Sequence, residues 1–472
     1  MARIGSSISG IERSLLNNLA AANAAVLLSR LRESSGHQIT SPADNPAGFV
    51  RLSSFQNQLS NVRSAMTNVT AASSLVTQTQ SGLEQIAAQL EIIRTELLAD
   101  ENHTLTPDER AAAQAKIDTA IAAINDLAST SYDNRRTLDG SADFLYTGRN
   151  YSQVAEVTVY AKPDSSETIS GNVVSTATKG QLAYTGTVAN QVAADATFTL
   201  TGNRGNAVFS VTAGETLSAV ATRINNQSHK TGVTASVDAV AHTLNFATVD
   251  YGSSATAAIT TSSGTFLNGS SAGTNASAVI NGITIASSSN NVDGNRFTVN
   301  SNGLRFSIQF AVGFTGTFGN IGVSGDALTF ALSPELNHTA TLAIPDVQAY
   351  GLGGNSGTLD QLQTGGSLSG LGNNTAQAIR VVDEAIGALA RVNGNVDGFY
   401  NAAVSSASSL MTDLQTDLES SIESIDGVND AQEADIQAYY EGLAANSIAG
   451  LTVLNQQRWA IINMIQHIAG LD

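Results

Sequence analysis

Six histidines, forty carboxylates and no cysteine make up the reactive inventory of this 472-residue chain. The histidines stand at 37, 103, 229, 242, 338 and 467, too scattered for the i, i+4 pair of H-E-x-x-H that holds a catalytic zinc. No P-loop and no G-x-S-x-G nucleophile elbow occurs. "GLGGNSG" (351–357) is glycine-rich but lacks the following Lys and Ser/Thr of a phosphate cradle, so it reads as a linker. "DNRR" (133–136) reads as a solvated turn rather than a basic contact. The sequons Asn150-Tyr151-Ser152 and Asn337-His338-Thr339 read as chance matches in an Asn/Ser/Thr-rich chain. With no thiol, disulfides, thiolate metal sites and Cys nucleophiles are excluded. These observations predict a protein that is not an enzyme and has no catalytic, cofactor or metal site.

Apolar residues are 42% of the total, enough for real cores, while aromatics are 5% and charged residues 13%. The formal charge of −18 leaves no excess of Lys and Arg to neutralise phosphates, which argues against nucleic acid as a partner. The charge is unevenly placed. Residues 1–63 carry arginines 3, 13, 30, 32, 51 and 63 against Glu12, Glu33 and Asp44, whereas residues 392–457 hold ten acids and no Lys or Arg. Charge runs of this kind usually mark solvated helix faces, but here they also allow the two ends to attract each other. No run of about 20 apolar residues predicts a membrane span, and "AAANAAVLL" (20–28) does not make a cleavable signal peptide.

Both ends read as helix. Ile4, Ile8, Ile11, Leu15, Leu19, Ala22 and Val26 recur at gaps of three and four. A second periodic run from Pro46 to Leu98 would be roughly 75 to 80 Å long at 1.5 Å per residue, so it must lie against other rods. A third starts at Thr106-Pro107-Asp108-Glu109, a capping box with proline at N1. From about Phe144 to Tyr350, short alternating runs such as "EVTVYA", "RFTV" and "LRFSIQF" between Gly, Asn, Ser and Asp predict antiparallel β structure. Helix returns near Thr375, loosened at Gly394 and Gly398, and after "IDGVND" a last helix carries Leu443, Leu451, Leu454, Ile461, Ile465 and Ile468. Tyr439, Tyr440 and Trp459 read as packing residues.

Between the first two helices, "HQITSPADNPAGF" (37–49) uses two of only six prolines. Ser41-Pro42-Ala43-Asp44 and Asn45-Pro46 each place a capping side chain before a proline at N1, predicting two overlapping helix starts and a built-in change of direction.

Taken in order, the first helix, the "SSGHQITSPADNPAGF" break, the long second helix and the "INDLASTSYDNRRTLDG" turn resemble the N-terminal region of bacterial flagellins. Ser34, Ser35, Gly36, Ile39, Ser41, Asp44, Ala47 and Gly48 match the flagellin pattern at the break. "AQAIRVVDEAIGAL" and "GVNDAQEADIQAYYEGLAANSIAGLTVLNQ" resemble the C-terminal segments of that family, and residues 196–247 resemble its insert module, with the Ile-Asn pair at Ile224 and Asn225. Pro42, Pro46 and Asn45 lean toward the related hook-filament junction proteins.

The resemblance implies an α+β fold in which both termini form a long antiparallel α-helical coiled-coil rod bearing a central β-rich outer region. Residues 1–40 and 429–472 would be inner-tube helices, 41–143 and 351–428 rod helices, and 144–350 the outer β domains. The assembly interface would be Ile4, Ile8, Ile11, Leu15, Leu19, Val26, Leu443, Leu451, Leu454, Ile461, Ile465 and Ile468. Ser41, Pro42, Asp44, Asn45, Pro46 and Gly48 would form a spoke turn between two radii. The implied function is the self-assembling filament subunit of the bacterial flagellum, extracellular and exported without a cleaved signal peptide. A homo-oligomeric filament, an export chaperone, a filament cap and hook-junction proteins are the implied partners. A junction protein of the same architecture is the alternative; a surface adhesin fits less well, since adhesins usually anchor at one end.

Overall fold

The computed structural model describes residues 2–101, 105–132, 135–163, 165–335, 339–372 and 374–468. Its helices are α1 (Ala2–Ser35), α2 (Pro46–Ala99), α3 (Pro107–Ser129), α4 (Leu217–Asn226), α5 (Ser228–Thr231), α6 (Thr375–Phe399), α7 (Ser406–Asp426) and α8 (Asp430–Ile468). Strands fill the stretch between α3 and α6. The α+β class read from the sequence is present, with long helices at both ends and antiparallel sheets between. The chain divides into two compact units.

One unit comprises Met1–Thr67, Ser333–Glu335 and Ser408–Asp472. In it α1 and α8 run antiparallel: Arg458 meets Glu12 at 3.2 Å near one end, and Gln437 Nε2 donates to Glu33 Oε2 at 2.8 Å near the other. The first part of α2 packs on α7, with Leu59, Val62 and Ala65 buried against Met411 and Leu418. Arg63 reaches Glu419 at 3.0 Å along this seam. Gly427–Asn429 separate α7 from α8, and Asn429 Oδ1 accepts from the Gln432 N–H at 3.2 Å as the cap of α8.

The other unit comprises Asn68–Leu332 and Leu336–Ala407. Ile86, Leu90, Ile93 and Leu97 of α2, Ile117, Ile121 and Ile124 of α3, and Val381, Val382, Ala385 and Leu389 of α6 share one core. Within it α2 and α6 are antiparallel, tied by Gln80 to Asp397 at 2.5 Å and Arg94 to Asp383 at 2.9 Å. The predicted capping box of α3 is formed: Thr106 Oγ1 accepts from the Glu109 N–H, and Glu109 Oε2 accepts from the Thr106 N–H. Gly394 and Gly398 stay inside α6. The irregularity is a π turn just after, at Tyr400–Ser405, where Phe399 and Tyr400 pack with Phe330.

The same unit holds two β modules. One has a five-stranded sheet in the order Ile283–Ile285, Ser277–Ile280, Glu167–Ser175, Gly316–Ser324, Leu145–Thr147. Its second sheet runs Val292–Asp293, Arg296–Ser301, Leu304–Phe310, Val154–Ala161, and both cover a core centred on Phe297, Phe306, Phe310 and Phe318. In Arg296–Ser301, Phe297 and Val299 point in while Thr298 and Asn300 point out, the period of two that the sequence shows. The other module sets a three-stranded sheet, Gln181–Thr185, Thr243–Thr248, Val233–Asp238, and a four-stranded sheet, Gly269–Ala272, Thr256–Gly264, Ala196–Gly202, Gly205–Val211, around α4. Leu217, Val220 and Ile224 of α4 enter its core beside Phe198 and Phe246.

Candidate assembly interface

The predicted interface lies on a helix pair that buries little of its own apolar surface. Where α1 meets α8 the buried positions are small or polar: Ala22 and Ser29 on one side, Glu433, Ala444 and Ser447 on the other. Ser29 Oγ donates to the Glu433 carboxylate and to its carbonyl, and Arg32 lies 3.6 Å from that carboxylate. Close approach is also visible at Gly450, where an added Cβ would sit 3.1 Å from Leu15 Cδ1. The basic-to-acidic attraction expected between the ends is realised by Arg30 with Glu441 at 2.8 Å. That pair is more than half exposed, so it orients the helices and contributes little stability.

Several of the larger apolar side chains face outward. Ile11 is 53% exposed, and Leu443, Ile461 and Ile465 are exposed as well. Leu15, Leu19, Val26, Leu451 and Leu454 are half-buried along the seam. The side chains of Ile4, Ile8 and Ile468 lie outside the described residues. Trp459, read from the sequence as a packing residue, is 60% exposed, and Tyr439 is exposed with its ring edge-on to Tyr440 at 5.2 Å. Within a single chain nothing described covers these rings, because α8 meets α1 through its small-residue face. Leu16, Leu27, Leu31, Ile448 and Met464 extend the exposed apolar surface. Sequence reasoning passed over them because they fall off the period followed there.

The break between α1 and α2 is built by side chains rather than by prolines alone. Gly36 ends α1 at φ +70°, a conformation only glycine adopts readily, and its N–H donates to the Arg32 carbonyl at 2.8 Å. Next, three residues attach to the last residue of α7. Gln38 N–H donates to the Asp426 carbonyl at 2.8 Å and Ile39 N–H to Asp426 Oδ1 at 2.8 Å. His37 Nδ1 lies 2.6 Å from Asp426 Oδ2. The Asp426 side chain is only 3% exposed, so this carboxylate is committed to the break.

The second half of the break corrects one expectation. Ser41-Pro42-Ala43-Asp44 starts no helix. It closes a turn, with the Asp44 N–H donating to the Ser41 carbonyl at 3.1 Å. Asp44 Oδ2 instead reaches back, accepting from Thr40 Oγ1 at 2.9 Å, Ser41 N–H at 2.7 Å and Thr40 N–H at 3.1 Å. The Thr40 hydroxyl, then the Ser41 N–H, hold this carboxyl below its ordinary range. With Asp44 turned away, the helix start falls to Asn45, whose Oδ1 accepts from the Gly48 N–H at 2.9 Å with Pro46 at N1. Gly48 is required by space: a Cβ there would stand 2.6 Å from Asn45 Nδ2 and 2.8 Å from Ile39 Cδ1.

The Ile-Asn pair has an equally specific role. Ile224 is buried in the module core. Asn225 Nδ2 donates to the Ala235 carbonyl at 2.9 Å, and its Oδ1 accepts from the Ala235 N–H at 2.8 Å. Ala235 belongs to Val233–Asp238, the edge strand of its sheet, so one amide side chain replaces a missing neighbour strand.

The model of the bacterial flagellin N-terminal helical region matches residues 9–143, and that of the flagellin hook IN motif matches residues 197–250. Over these two stretches the chain is similar to the flagellins. The matched stretches cover α1 to α3 with the break, and the module closed by Asn225. Among solved structures, the chain is similar to FlgL from Xanthomonas campestris, at 12% identity over 80% of this chain and 99% of that one, TM-score 0.25. It is also similar to the flagellar junction protein FlgL from Legionella pneumophila, at 11% identity over 84% and 100%, TM-score 0.23. The flagellar cap protein FliD from Bdellovibrio bacteriovorus matches at 18% identity over 35% and 96%, TM-score 0.24. Superpositions this loose carry no structural argument. No curated protein matches the chain.

These two matches support a structural protein of the bacterial flagellum. Among the described residues no group of three or more His, Asp or Glu is placed to hold a metal ion, and no helix is long and apolar enough to cross a membrane. "GLGGNSG" contributes the short antiparallel pair Gly353–Gly354 and Gly357–Thr358. Of "DNRR", Asp133 and Asn134 lie outside the described residues, as do His103, His338 and Asn337; Arg135 and Arg136 are exposed.

Proposed function

We propose that this protein is the subunit of a flagellar filament, in which residues 1–40 and 429–472 line an inner tube. In this reading 41–143 and 351–428 form the surrounding rod, 144–350 the outer β domains, and residues 41–48 the spoke between layers. The observation that carries it is the pairing of α1 and α8 through small and polar side chains, with Ile11, Leu443, Trp459, Ile461 and Ile465 left exposed. An amphipathic pair that leaves so many large apolar side chains exposed gains much of its hydrophobic stabilisation against further copies, which makes folding of the termini and polymerisation one cooperative event. The same surface fits an extracellular homo-oligomer served by an export chaperone and bounded by cap and junction proteins. A junction protein is the second reading, favoured by Pro42 and Pro46 in the break.

The test is negative-stain electron microscopy of the concentrated full-length protein beside a variant lacking residues 1–40 and 430–472. Long uniform filaments from the full-length chain alone are expected. A well-folded full-length chain that stays monomeric or forms only short oligomers would overturn the filament reading in favour of a junction protein.

A further inference from the structure

Independently of filament assembly, the IN module is joined to α2 and α6 through a charged foot with a histidine at its centre. Gln227 Nε2 donates to Glu101 Oε1 at 3.2 Å, and Lys230 Nζ pairs with the same oxygen. Arg380 of α6 donates to Ser228 Oγ of α5. Between them the His229 side chain is 3% exposed, and neither of its ring nitrogens has a hydrogen-bond partner. Its Nε2 comes within 3.5 Å of Glu101 Oε1, a long contact that is an ion pair only when the imidazole is charged.

A neutral imidazole left without partners in a buried site is a poor packing group, because both ring nitrogens lose their water. What distinguishes it from a phenyl ring is that it acquires charge near pH 6. The described charged groups around it are Glu101 after α2, Lys230 on α5, and Arg380 and Asp383 on α6. Arg204 flanks α5 from the turn between Ala196–Gly202 and Gly205–Val211, and it is already occupied by Asp250 and Glu384. Two cations and two carboxylates therefore face the site, and its nearest carboxylate already accepts from Lys230 and Gln227.

We propose that His229 is a pH-sensitive latch: uncharged, it lets the IN module stay seated on α2 and α6, and protonation lifts the α5 foot. Burial, opposed by Glu101 and reinforced by Lys230, holds the seated imidazole below its ordinary value. A released imidazole titrates near 6.5. The seated state therefore binds fewer protons than the open one. Its stability is complete above pH 6.5 and is lost as pH falls below that value toward the seated one. By linkage the opening equilibrium rises as pH falls from 7.5 to 5.5, by at most about tenfold.

Amide hydrogen exchange of the full chain, followed by mass spectrometry and corrected for intrinsic rates, tests this at residues 225–233. Wild type is expected to open more at pH 5.5 than at 7.5, by up to about tenfold, and His229→Phe to be flat. Equal opening at both pH values, or a rise that survives in His229→Phe, would overturn the proposal. Should His229→Phe prove open already at pH 7.5, the wild-type imidazole resonance decides, assigned by its disappearance in that variant. A midpoint below 6.5 supports the latch, and one at or above 6.5 refutes it.

Discussion

Asn225→Ala asks whether one amide side chain can stand in for a strand. It removes two bonds at once, leaving the N–H and carbonyl of the buried Ala235 without a partner on the outer edge of their sheet. Each buried backbone group left unpaired costs about 1–3 kcal/mol. Asn225 is itself half-buried, so water can reach part of the gap and the lower half of that range applies. Alanine returns about half a kcal/mol of helix propensity in α4. The expected net loss is about 1.5–3.5 kcal/mol for opening of the IN module, or roughly 10- to 400-fold in amide protection across Val233–Asp238 and Thr243–Thr248. Asn225→Asp separates the two bonds: it keeps the acceptor for the Ala235 N–H but turns a carboxylate oxygen toward the Ala235 carbonyl. It should be at least as damaging near neutral pH, with the gap to wild type narrowing in acid as the carboxyl regains a proton to donate. Protection within twofold of wild type in Asn225→Ala would refute the edge-strand role. So would an Asp variant indistinguishable from wild type at neutral pH.

Two further perturbations follow from buried or crowded groups. Burial pushes the Asp143 carboxyl up to about 6, against the opposing bonds from the Phe144 N–H and the Tyr146 hydroxyl. Because the folded value is the higher one, the stabilisation of this group is complete below the unfolded value near 3.8 and is lost as pH rises through about 6. Asn at that position can still accept both bonds. Asp143→Asn should therefore gain up to about 3 kcal/mol over wild type at pH 8 and lose the advantage by pH 4; thermal unfolding of both proteins across that range measures it, and a difference that does not vary with pH would contradict it. Gly48→Ala should destabilise the break by about 1–2 kcal/mol despite the better helix propensity of alanine, because the new methyl must displace Asn45 and Ile39. Hydrogen exchange at residues 39–49 reads this, and unchanged or slower exchange would show that the break has room to spare.

What this sequence determined by itself is whatever depends on neighbours a few residues away. The Thr106-Pro107-Glu109 start, the Asn45-Pro46 start and the alternation of Phe297 and Val299 all reappear in the structure, because a cap or a pleat is decided within one or two turns of chain. The competition between Ser41 and Asn45 for the helix start was not legible. It turns on Asp44 folding back to Thr40 and Ser41, a choice among local bonds of similar strength. Only the tertiary structure decided the rest. Asp426 meets Ile39 across 387 positions of sequence, and Ser29 meets Glu433 across 404, so nothing local could pair them. The most deeply buried positions of the seam between α1 and α8 include Ala22, Ala444 and Ser447, with the periodic Leu15, Leu19, Val26, Leu451 and Leu454 only half-buried beside them. Periodicity tells which face of a helix is apolar; which partner covers that face, and how closely it approaches, is settled only when the two helices meet.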